Sequence, residues 1–135
     1  MRIGFTGTQR GMTDAQRTAL KTVLTERGAT VLHHGDCIGA DAQAHEIAVS
    51  MSCEIVIHPP IVETKRAWKH AARTHRPKSY LARNKDIVRD TEMLVAMPGE
   101  NMEQIRSGTW STVRFARKMG RPVWVILPSG EVCRE

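Results

Sequence analysis

Short apolar runs alternate along the chain with stretches whose apolar residues return every three or four positions. Residues 2–6 form a brief apolar run, and a turn-rich Gly7-Thr8-Gln9-Arg10-Gly11 follows. Thr13 and Gln16 then stand in capping-box spacing before Ala19, Leu20, Val23 and Leu24, with Gly28 as the stop. A second strand is predicted over 29–33, a helix over 40–51 and a third strand over 54–58, halted by Pro59-Pro60. Residues 61–78 are polar and basic, and predict a partly helical excursion or a mobile loop. Ser79 caps a helix running to about residue 90. The strand 93–97, a helix over 109–119 ended by Gly120, and a strand over 122–127 complete the series.

This β-α-β-α-β-α-β-α-β pattern calls for a parallel sheet with helices on both faces. Continuous apolar strands fit a sheet covered on both sides. At 135 residues, without a repeat or linker, the chain predicts a single domain over 1–135. Ligands of such sheets sit at the carboxyl ends of the strands. Three loops therefore share one rim: 7–11, 35–41 and 98–109.

Composition narrows the class. No apolar run approaches the roughly 20 residues that span a bilayer, and residues 1–5 begin a strand without a signal-peptide core. Three widely separated cysteines (Cys37, Cys53, Cys133) argue against a disulfide framework. A cytoplasmic protein with no membrane partner is expected. The net charge of +6 is concentrated, because residues 65–89 hold nine basic side chains against Asp86 alone. Such a block implies an anionic partner: a nucleotide, a nucleic acid or a polyphosphate.

Each rim loop offers phosphate chemistry. In the first, Gly7 permits a sharp turn, Thr8 brings a hydroxyl and Arg10 a bidentate donor. In the second, Gly35 and Gly39 permit close backbone approach, and Asp41 stands at a helix start to cap it or to bind a ribose hydroxyl. In the third, the Pro98-Gly99 turn leads to Ser107, Gly108 and Thr109, two hydroxyls and an N–H cluster for a phosphate or a plain N-cap. Arg83 and Arg89 would neutralise phosphate, although six positions on a helix turn them about 240° apart. His33, His34, Cys37 and His45 cluster in sequence but match no zinc spacing, so neither a metal nor a cofactor is expected.

The series Gly35-Asp36-x-x-Gly39-Ala40-Asp41-x-x-Ala44-His45-x-x-Ala48, then Arg83-Asn84, then Ser107-Gly108-Thr109, resembles the SLOG superfamily of nucleotide-binding proteins. The resemblance covers nearly the whole chain. It implies an α/β, Rossmann-like three-layer sandwich with a five-stranded parallel sheet in the order 3-2-1-4-5. It also implies a homodimer or higher homo-oligomer.

Two branches are similar. In LOG-type phosphoribohydrolases a catalytic arginine precedes the strand, and Arg89 matches it; Met93 to Gly99 matches the strand and its Pro-Gly. Residues 100–106 interrupt that motif, and Thr112 stands where the catalytic glutamate belongs. A hydroxyl does not replace a carboxylate beside a developing oxocarbenium ion. The DNA-processing protein A branch matches Gly39 to His45, and the basic segment suits a nucleic-acid backbone. Yet Trp68 and Tyr80 are the only aromatics near it, few for a stacking platform. The expectation is a domain that binds a nucleoside monophosphate or an ADP-ribose-like ligand. The alternatives are a nucleotide phosphoribohydrolase and a single-strand nucleic-acid module.

Overall fold

The structure, a computed structural model, describes residues 1–135. In chain order the elements are β1 (Arg2–Gly7), α1 (Asp14–Glu26), β2 (Val31–His34), α2 (Ala40–Ser50), β3 (Glu54–Ile57), β4 (Arg73–Thr74), α3 (Tyr80–Arg89), β5 (Met93–Met97), α4 (Gly108–Lys118), β6 (Val123–Ile126) and β7 (Val132–Arg134). The fold is α/β, with one mostly parallel sheet in the order β4-β3-β2-β1-β5-β6-β7. No helix is long and apolar enough to cross a membrane.

The expected five-stranded sheet is corrected to seven strands. The five apolar strands form its interior, and a short strand is added at each edge. β4 pairs parallel to β3 through Val56↔Arg73 and Ile57↔Thr74. It lies within the segment expected to be helical or mobile, which forms no helix. Both its residues are exposed and polar, so no apolar run marks it. β7 folds back antiparallel on β6, with Val125 opposite Cys133, after a turn in which Gly130 N–H donates to the Leu127 carbonyl at 2.8 Å. Gly130 adopts φ +89, a left-handed conformation that glycine takes readily.

Strand alternation sorts β5 into two cores. Met93, Val95 and Met97 join Ile3, Phe5, Leu20 of α1 and Ala44 of α2. Leu94 and Ala96 face Ile87 of α3 and Val113 of α4. Helices thus cover both faces, α1 and α2 on one and α3 and α4 on the other. Connections leaving β1 and β5 run to opposite faces, which opens a crevice between those neighbouring strands at their carboxyl ends.

The expected caps form. The Thr13 hydroxyl accepts from Gln16 N–H at 3.1 Å, and the Gln16 side chain accepts from Thr13 N–H at 3.0 Å. Ser79 accepts from Ala82 N–H at the start of α3. Gln16 also works across the fold, donating to the carbonyls of Pro98 and Ile126 at 2.9 and 3.0 Å. That bridge ties α1 to the ends of β5 and β6.

Candidate functional site

A cleft of about 510 Å³ opens at the β1–β5 crevice. Gly7, Thr8 and Arg10 line it from β1, Gly35 and Asp41 from β2 and α2, Arg83 from α3, Gly99 from β5, and Ser107, Gly108 and Thr109 from the start of α4. Ten of the thirteen residues singled out from sequence for phosphate or ribose chemistry therefore meet in one place. Gly39 instead packs against the backbone of Thr8 and Gln9, and two more stay out of the wall. Pro98 is buried with its carbonyl held by Gln16, which keeps it out of the cleft wall. Arg89 is exposed at the far end of α3, where its guanidinium lies over the Phe115 ring at 5.5 Å and its carbonyl accepts from Arg121. Helical phase and rise carry it away from Arg83.

Phe5, Thr6, Gln9, Cys37, Tyr80 and Ile87 also form the wall without having been assigned to it from sequence, as do Glu100 and the Asn84 of the Arg83-Asn84 motif. A signal for the α3 set existed: positions 80, 83, 84 and 87 follow the i, i+3, i+4, i+7 spacing of one helical face.

Arg83 is the centre of the site. Its side chain is buried, and Nη1 donates to the carbonyls of Gly35 and of His58, the latter at 3.0 Å. Nη2 donates to Cys37 Sγ at 3.2 Å, and Nε donates to Asn84 Oδ1. Four of the five guanidinium N–H groups are thus engaged by neutral acceptors, and no salt bridge forms. Gly35 makes this approach possible, because a Cβ there would lie 2.2 Å from Nη1.

Asp41, also buried, accepts through Oδ2 from the N–H groups of Gly35 and Cys37, both at 3.2 Å. Its Oδ1 is buried without a hydrogen-bond partner. Burial pushes its carboxyl up to about 6, opposed by the charge of Arg83 and by the two N–H groups. The Cys37 thiol is likewise raised by burial and by Asp41, against the pull of Arg83.

Across the cleft Ser107 caps α4, accepting from Trp110 N–H at 3.3 Å. The N–H groups of Gly108 and Thr109 make no hydrogen bond within the protein, so two free donors and the positive end of α4 face the cleft. Arg10 forms an ion pair with Glu100 at the rim, joining the first and third loops. The Thr112 hydroxyl donates to the Gly108 carbonyl at 2.9 Å and lies outside the cleft wall.

The basic segment does not form one continuous surface. Arg66 pairs with buried Asp36 at 2.9 Å, Lys69 with Glu46 at 2.7 Å and Lys78 with Asp86 at 2.6 Å, while Arg83 points inward. Asp36 anchors residues 61–78 against the β2–α2 loop. Its carboxylate also accepts from Lys69 N–H at 2.9 Å, and its carbonyl accepts from Ala67 N–H at 2.7 Å. The histidines weighed from sequence as metal ligands separate, since His33 and His34 occupy opposite faces of β2. His34 meets His45 at 2.9 Å, and His33 meets His58.

No protein-family model matches the chain, and no curated protein sequence matches it. Among solved structures, the fold is similar to that of the molybdenum cofactor binding protein from the phototrophic bacterium Rippkaea orientalis. The TM-score is 0.71 at 20% identity, over 93% of this chain and 76% of that one. At that identity the likeness concerns the fold.

Proposed function

We propose that the chain is a SLOG-type, Rossmann-like domain that binds a nucleotide or nucleotide-derived ligand in the β1–β5 cleft. Its phosphate would sit at the start of α4 and its ribose at Asp41. The observation that carries this reading is Arg83, a buried cation that makes no salt bridge and has only Asp41 as a nearby opposite charge, beside two unpaired helix N–H groups. Buried charges are normally paired, and an anion in the cleft would supply the missing partner. One Nη2 N–H remains for it. Asp41 Oδ1 is a buried acceptor awaiting a donor, which a ribose hydroxyl provides. A homodimer belongs to the same reading and is checked by light scattering.

Binding is favoured over hydrolysis by the carboxylates at hand. Thr112 offers none, Glu100 is held by Arg10, and Asp41 is fixed by the Gly35 and Cys37 N–H groups in the place the ribose would take. A nucleic-acid module is supported less, because the basic segment is divided among local partners and a buried site.

Calorimetric titration with AMP, ADP-ribose and a short single-stranded oligonucleotide tests the reading, with molybdenum cofactor as the competitor that the fold likeness adds. Saturable nucleotide binding is expected. Gly108→Val should weaken it by roughly tenfold or more by crowding the N–H cluster. The fold should tolerate that change, since nothing lies within 4 Å of a Cβ at Gly108. Unchanged affinity in a folded variant, or tighter binding of the oligonucleotide, would overturn the proposal. Free base released from AMP, and abolished by Asp41→Asn, would establish the phosphoribohydrolase instead.

A further inference from the structure

β2 carries two neighbouring histidines, and the protein uses them differently. On one face His34 is fully employed: Nε2 meets His45 Nδ1 at 2.9 Å, and Nδ1 accepts from Asp36 N–H at 2.9 Å. On the other face His33 Nδ1 lies 2.8 Å from His58 Nε2, and Asp90 Oδ2 lies 4.0 Å from the same His58 nitrogen. One donor atom from each of His33, His58 and Asp90 falls within 4.8 Å of the others. The two imidazoles are buried, 3% and 2% exposed, whereas Asp90 is an exposed residue capping the C-terminus of α3. At 4.0 Å the carboxylate is beyond hydrogen-bond reach of the pair it faces.

We propose that His33, His58 and Asp90 bind one divalent transition-metal ion of the zinc class, through two imidazole nitrogens and one carboxylate oxygen, with a fourth position open to solvent. Zinc holds such donors at about 2.0–2.2 Å in a tetrahedron, which spaces them roughly 3.3–3.5 Å apart. The distances of 2.8 and 4.0 Å lie on either side of that spacing and all three donors fall within 4.8 Å, so closing the site requires the exposed Asp90 side chain to swing toward the histidine pair. An N₂O donor set suits zinc or cobalt better than calcium or magnesium, which take oxygen ligands. Burial holds the His33 and His58 rings neutral at pH 7; one of the two facing nitrogens carries the proton of their mutual hydrogen bond, and moving that proton to the ring's other nitrogen frees both to ligate.

The local field limits the affinity. Arg2 and Arg73 bear on His33, and His75 stacks on the His58 ring at 4.3 Å between centroids. None of the three ligands lines the cleft, so the site stands apart from the nucleotide reading. The two regions touch where the His58 carbonyl accepts from Arg83.

The test is titration of tag-free protein with zinc at neutral pH against a chromophoric chelator, and with cobalt followed by its visible ligand-field bands. One saturable equivalent is expected. Asp90→Asn should weaken it about tenfold or more. That exchange removes an exposed carboxylate, and circular dichroism verifies the fold. In NMR spectra the imidazole signals of His33 and His58 should move together with zinc while those of His34 and His45 stay. Three results would overturn the site: no saturable binding, equal affinity in Asp90→Asn, or zinc-dependent shifts confined to His34, His45, His70, His75 or Cys37.

Discussion

On the β2 side of the cleft Asp36, Asp41, His34 and Arg83 are all buried, whereas on the β5 side residues 101–106 are all exposed. The first wall is a desolvated polar network in which nearly every donor and acceptor has a protein partner. The second is held at its surface by ion pairs: Arg10 with Glu100, and Glu103 with both Arg114 and Arg117 at 2.9 Å. Similar side chains should therefore matter very differently. In a low-dielectric network a lost partner strands buried groups, whereas an exposed pair is screened and weak.

The largest effect should follow Arg83→Met, which keeps the length of the side chain and removes its donors. The Gly35 and His58 carbonyls lose their partner, and Asp41 loses its nearby positive charge. A destabilisation of roughly 2–4 kcal/mol is expected in urea unfolding. A change below roughly 0.5 kcal/mol would show that the β2 wall is not a coupled network.

Asp36→Ala should come next. Asp36 sits at φ +56, where alanine is strained, and its carboxylate holds Arg66 and the Lys69 N–H. A loss of about 2 kcal/mol is expected, with faster hydrogen exchange in residues 61–78. Unaltered exchange there would separate that segment from the β2 wall.

Acid should weaken the same wall through His34, and the opposite face of β2 through His33 and His58. Burial lowers His34 to about 3, with help from the charges of His45, His58, Arg83 and His33. Burial lowers His33 to about 4 and His58 to about 3. Between these values and the ordinary 6.5 the unfolded chain binds more protons, so stability falls as pH drops through this range. Asp41, raised to about 6, acts in the opposite direction: between its ordinary 3.8 and about 6 the folded state holds the extra proton. Three histidines outweigh one carboxyl. The melting temperature should fall by roughly 5 °C or more between about pH 7 and pH 4.5, and a flat profile would count against the buried neutral rings.

The smallest effect belongs to Glu100→Gln, within roughly 0.5 kcal/mol of the parent in urea unfolding because the pair lies at the solvent-facing rim with Arg10 exposed and Glu100 half-buried. A loss above about 1 kcal/mol would make the two walls alike.

Much of this architecture can be read in the residue pattern. Five strands, four helices and the Thr13–Gln16 and Ser79 caps are local features, set by apolar period and by side chains that bond to backbone a few positions away. The rim loops follow, because a strand that ends in glycine before a helix has few places to go. Their meeting around one cleft follows from the switch in connection between β1 and β5.

Other features depend on groups far apart in sequence. β4 exists because Arg73 and Thr74 find an open β3 edge, not because of their own preference. Arg83 and Arg89 look alike on one helix, yet only one is turned toward Gly35 and the cleft. His33, His58 and Asp90 meet across separations of 25 and 32 positions, which no spacing rule spans. Local periodicity is a short-range code for where elements begin and which face they bury. Which buried charge lacks a partner, and which oxygen lacks a donor, is settled only when distant elements exclude water together.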